Sequence, residues 1–133
     1  MENKFVLDTN WVLRYLLNDN EEMANEVELF LRKVQSGKET AYLTIEVIEE
    51  LIYVLTKFYK YLNQDVSDKL LSFIRLSGVK VVEREIIENS LEIWGRQNAD
   101  WVDVVLITRE YVDSWKVLSF DKDIIRLRKL VIK

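Results

Sequence analysis

The sequence predicts an α/β domain of three layers, with helices on both faces of a central parallel sheet of about four to five strands. Short apolar runs alternate with longer helical patterns along the chain, the arrangement that produces parallel sheets. The first run, Lys4-Phe5-Val6-Leu7, ends abruptly at Asp8 and opens into helix-spaced apolar residues, as a first, central strand would. A length of 133 residues at 49% hydrophobic composition suits a single domain over residues 1–133, with a core of ordinary size and no room for a second.

Taken in order, Trp11, Val12, Tyr15 and Leu16 recur at helical spacing between Trp11 and Leu17, and Asn18-Asp19-Asn20 stops that helix. A second helix is expected from Glu21 to Gln35, with Met23, Val27, Phe30, Leu31 and Val34 on one face and Ser36-Gly37 as its stop. Ala41-Tyr42-Leu43 reads as the second strand, and Thr44 is suited to cap the next helix. Ile45 to Tyr61 is apolar nearly all the way round, so it predicts a helix largely buried or covered by a partner. Asp65 to Leu76 is expected to fold back on it as a helical hairpin closed by Ser77-Gly78. Val79 to Val82 is a third strand, and Glu85 to Arg96 and Asp100 to Val112 are helices. Lys116 to Ser119 is a fourth strand beside the first, Asp121 to Arg128 a short helix, and Leu130 to Ile132 a terminal strand.

The chain has no cysteine and no histidine. Disulfides, thiolate zinc sites and cysteine nucleophiles are excluded, and the commonest general base is missing, so carboxylates are the main chemistry available. A metal site must then be lined by oxygen, which favours magnesium or manganese over zinc or copper. A ribonuclease working through the 2′-hydroxyl with a histidine pair is disfavoured. No signal-peptide pattern opens the chain and no apolar run approaches the ~18 residues of a membrane span, so a cytoplasmic protein with no membrane partner is expected. A net charge of -4 argues against a generic basic nucleic-acid binder. Setting Asp8, Glu50, Asp103 and Asp121 aside as metal ligands leaves a charge of zero, which keeps a phosphate-bearing substrate open.

Each of those acids has two readings. Asp8 either caps the helix after it or sits at the ligand-binding edge of the sheet, where strands end. Glu50 has Val47 and Val54 as axial neighbours, so its carboxylate is expected to emerge from an apolar stripe and to want a cation; Glu46 and Glu49 are its rivals. Asp100 and Asp103 read as a helix cap and a first-turn acid, yet Asp103 lines up with Leu106 and Ile107 toward the core. Asp121, in Ser119-Phe120-Asp121-Lys122-Asp123, is either turn chemistry or an acid just past the fourth strand. Four acids converging on one sheet edge would support phosphodiester hydrolysis assisted by one or two metal ions.

Val6-Leu7-Asp8-Thr9-Asn10, Glu50-Leu51 with Val54-Leu55, Ala99-Asp100-Trp101-Val102-Asp103 and Leu118-Ser119-Phe120-Asp121-Lys122-Asp123 resemble, in order and spacing, the PIN-domain family, most of all the VapC toxins of toxin–antitoxin pairs. The resemblance implies an α/β/α fold and a magnesium- or manganese-dependent endoribonuclease that cleaves RNA. It places Asp8, Glu50, Asp103 and Asp121 as the acidic quartet, supported by Asn10, Asp100, Ser119 and Asp123. Val104 stands where the family has a small residue, and Ser119 where it more often has threonine. A cognate antitoxin and a homodimer are the partners implied, with the aromatic-rich Tyr53, Phe58, Tyr59 and Tyr61 region suited to either. Arg14, Lys122, Arg126 and Arg128 are candidates for RNA phosphate contacts. Competing readings are an RNA-processing PIN nuclease outside a toxin pair, an inactive PIN-like binding module, a phosphatase with Asp8 as nucleophile, and a phosphoryl receiver. The phosphatase wants a second Asp where Asn10 stands, and the receiver wants an acidic pair and a late lysine.

Overall fold

The computed structural model describes residues 3–131. Its elements are β1 (Lys4–Val6), α1 (Thr9–Leu17), α2 (Glu21–Gln35), β2 (Thr40–Leu43), α3 (Ile45–Tyr53), which runs on as a π-helical segment Val54–Phe58, α4 (Asn63–Ile74), β3 (Val79–Val81), α5 (Arg84–Arg96), α6 (Trp101–Asp113) and α7 (Lys122–Val131). The three strands form one parallel sheet in the order β1-β2-β3, with Phe5 opposite Ala41 and Ala41 opposite Val79. Helices flank it, as the alternating pattern predicts.

The ends of the first helices are set by single residues. Asn18 takes a left-handed conformation after α1, and the Asn20 side chain accepts the Met23 amide at 3.0 Å to start α2. Val27, Leu31 and Val34 turn one face of α2 into the core. Gly78, before β3, has φ +87°, and a Cβ there would lie 2.3 Å from the Val34 carbonyl oxygen, so only glycine lets this turn pass so close to α2. Thr44 occupies the cap position of α3, but its side chain makes no capping bond.

Three expectations about the sheet need correction. It has three strands among the described residues rather than four to five, and β1 lies at an edge instead of the centre. The expected fourth strand, Lys116 to Ser119, does not form, and side chains take backbone donors within it and just past it. The Val117 N–H donates to the Glu110 carboxylate at 3.0 Å, and the Asp121 N–H just beyond donates to the Ser119 hydroxyl at 2.9 Å. Leu118 is left 95% exposed. The expected terminal strand is also absent: Leu130 and Val131 belong to α7, whose helical spacing of Ile124 and Leu127 persists past Arg128, and Ile132 lies outside the described residues.

The helix predicted from Ile45 to Tyr61 ends at Phe58, with its last five residues π-helical. There the Thr56 hydroxyl donates back to the Ile52 carbonyl at 2.7 Å, the kind of side-chain intrusion that loosens an α-helical ladder. Instead of forming a hairpin chiefly with that helix, α4 packs mainly against α5. Its buried Ser67 donates to the Leu91 carbonyl at 2.7 Å, and Gly95 allows the close crossing, since a Cβ there would lie 2.8 Å from the Ser67 Cβ. Leu43, Ile48, Leu51, Leu55, Phe73 and Ile107 are among the large side chains fully buried between the layers. Among the described residues no helix is long and apolar enough to cross a membrane.

Candidate metal centre

The site is built where two helices begin. Asp100, in an extended conformation, starts α6, and buried Trp101 anchors that start against Trp94 at 6.2 Å, edge to face. With Val104, Val105, Ile107 and Thr108 buried, Asp103 in the first turn is held half-buried. The start of α7 is set by a local turn in which the Ser119 hydroxyl accepts the Asp121 N–H and the Asp121 carboxylate accepts the Asp123 N–H, each at 2.9 Å. Ile124 and Leu127 then bury one face of α7, which packs against α6. The result brings Asp103, Asp121 and Asp123 together, with one carboxylate oxygen from each lying within 4.8 Å of the others.

Three like charges at that spacing repel. Partial burial first, and then the charges of Asp121, Asp100 and Asp123, push the Asp103 carboxyl above its ordinary range. Two features offset the repulsion: Asp103 and Asp123 each occupy the first turn of a helix, where the backbone dipole favours negative charge. A divalent cation would offset it far more, and a donor set made only of carboxylate oxygens fits a hard ion such as magnesium or manganese.

The other predicted residues are placed differently. The Asp8 side chain accepts the Asn10 N–H at 3.1 Å and so caps α1, and Asp8 and Asn10 are both exposed. Glu50 is exposed rather than set in an apolar stripe, because α3 buries Ile48, Leu51 and Ile52 instead. Among the described residues neither Asp8 nor Glu50 joins the three-acid group. Asp100 stands at the cap position of α6 without a side-chain capping bond, and acts on Asp103 through its charge.

Of the basic candidates, Arg14 is held by Asp19 at 2.8 Å and Arg128 by Glu110 at 2.8 and 3.1 Å. Lys122 is exposed at the start of α7, and the Arg126 Nε lies 3.9 Å from Asp123. Asp123, expected only as a support, is a full member of the cluster. The signal for it is the Asp-x-Asp spacing across a helix start, which puts one acid at the cap and the next in the first turn. Glu49, a rival of Glu50, lines a cavity of about 530 Å³ that also reaches Asp100, Asp103 and Asp123.

Glu110 ties this region together, accepting from Arg128 on α7 and from the Val117 N–H. The Arg128 hydrogen bonds hold its carboxyl below the usual range, with the Val117 N–H assisting. A lowered carboxyl stabilises the fold above its unfolded pKa and loses that contribution as pH falls through the folded value. Thermal melts from pH 7 down to pH 3 should therefore show a shallower acid loss for Glu110→Gln than for the parent, since only the parent has this carboxylate to protonate. Identical acid limbs would show the tie to be without effect.

The fold and the site together define a parallel α/β domain carrying an all-carboxylate cluster where two helices begin. The PIN domain family model matches residues 5–130, and the chain belongs to that family. It is also 23% identical over 129 residues to a VapC ribonuclease of Aquifex aeolicus (strain VF5), covering 96% of this chain and 93% of that protein. No solved structure gives a significant match.

Proposed function

We propose that the protein is a magnesium- or manganese-dependent endoribonuclease that hydrolyses RNA phosphodiester bonds in the cytoplasm, as the toxin of a toxin–antitoxin pair. The observation that carries this reading is the convergence of Asp103, Asp121 and Asp123, from two separate helix starts, in a chain of the PIN domain family. The similarity to a VapC ribonuclease supports the choice of RNA and of an antitoxin protein as partner.

Asp103, Asp121 and Asp123 would hold the ion, and Asp8 and Glu50 are proposed to complete its shell, directly or through water. A bound ion supplies positive charge to the phosphate under attack and lowers the pKa of the attacking water. The chain's own part is to present the Asp103 carboxylate from the start of α6 and to hold the α7 start through Ser119, with Asn10 and Asp100 proposed as supports. Lys122 and Arg126 are proposed to meet flanking phosphates, while Arg14 is already engaged by Asp19. Phe58, Tyr59 and Leu62 are exposed around the π-helical segment, and there a second copy is proposed to dock as a homodimer.

The test pairs thermal melts with an RNA cleavage assay. Manganese at a hundred times its Kd should add about 2.7 kcal/mol of stability, and a single-stranded RNA should be cut in manganese and spared in EDTA. Melts unmoved by manganese, with cutting that persists in EDTA, would exclude the proposed mechanism.

A further inference from the structure

The geometry points to a nucleobase subsite in the cavity beside the acid cluster, which takes an unstacked base of single-stranded RNA next to the phosphate to be cut. This rests on the nuclease reading, and adds to it how the substrate is gripped. The cavity, about 530 Å³, falls within the range that encloses small ligands, and Asp103 and Asp123 form part of its wall. A strand with a phosphate at the cluster therefore lays its neighbouring residue at the mouth of this cavity.

The wall is suited to a base. Tyr53 lines it while 65% exposed, an aromatic ring left in water although the core beneath α3 is complete. Rings so placed stack any base, whatever its identity. Asn63 and Asn98 bring side-chain amides with both donors and acceptors, the groups that read a base edge. Lys57 and Arg126 supply positive charge for the phosphates on either side.

The backbone adds a second, independent indication. The π-helical segment Val54–Phe58 contributes Thr56 and Lys57 to this wall. Such segments fit one more residue into a turn, at a cost in hydrogen-bond geometry, and occur often at functional sites. A base, unlike an acidic peptide, also tolerates a wall that includes Glu49 and Asp100. Duplex RNA is excluded, since its bases stay stacked and out of reach of a cavity.

The test uses the intact protein and a fluorescently labelled single-stranded RNA, with calcium in place of manganese so that binding is read separately from cutting. Tyr53→Ala should weaken binding about tenfold, the loss of one base–aromatic stack, and Tyr53→Trp should restore it. Replacing one nucleotide of the RNA by an abasic residue should weaken parent binding to a similar degree, and should weaken Tyr53→Ala no further. Because Tyr53 is mostly exposed, the variants are expected to melt with the parent. Binding indifferent to Tyr53→Ala, indifferent to the loss of every base in turn, or absent altogether would overturn the subsite. Base-dependent binding by a protein that cuts nothing in manganese would keep the subsite and defeat the nuclease reading.

Discussion

Asp103→Asn is expected to lower manganese-dependent RNA cleavage about a thousandfold while leaving the fold intact, several kcal/mol of transition-state stabilisation being what a lost metal ligand removes. Asp103 is the acid whose environment most clearly asks for a cation, half-buried and pressed by Asp121, Asp100 and Asp123. Its raised carboxyl pKa sets a sign for stability as well. A group with a raised folded pKa stabilises the fold at low pH, and that contribution is lost as pH rises through the folded value. At neutral pH the metal-free parent therefore carries a repulsion that the amide lacks. Metal-free Asp103→Asn should melt at or above the parent's temperature, and manganese should no longer raise it. Full cleavage by this variant, or its collapse without metal, would remove Asp103 from the site. The same exchange at Asp8 keeps the α1 cap, since asparagine caps as well as aspartate, so cleavage there separates ligand from cap.

The largest structural effect is expected at Leu127. Leu127→Ala should cost about 2–5 kcal/mol in denaturant unfolding, the range for emptying a buried leucine site. Leu127 is fully buried, and with Ile124 it is what α7 buries in the core. The variant should also bind manganese more weakly than the parent, because α7 carries Asp123 and fixes Asp121 ahead of it. A loss of stability with unchanged manganese affinity would show that the cluster does not depend on how α7 is seated.

The helices are legible in the sequence because their period is strong: α2 runs from Glu21 to Gln35 as its apolar face and its Asn20 and Gly37 borders predict. The sheet is less so. Lys116 to Ser119 does not pair with β1, and its Val117 N–H goes to Glu110 instead, a side-chain competition that strand periodicity does not register. In the site, Asp103 is read from its alignment with Leu106 and Ile107 and Asp121 from the end of a strand that does not form, yet the two meet where α6 and α7 begin. Glu50 is exposed where an apolar setting is expected, because two valines at helical spacing do not define the buried face of α3, which lies along Ile48, Leu51 and Ile52. Asp123 is easily undervalued because a turn rich in aspartate looks like ordinary loop chemistry until α7 is docked.

The order of synthesis gives the cluster one more property. Asp103 is translated well before Asp121 and Asp123, and the latter two reach it only once α7 has settled on α6. A chain cut short between those points would lack two of the three acids, so the centre is complete only when α7 is present and docked.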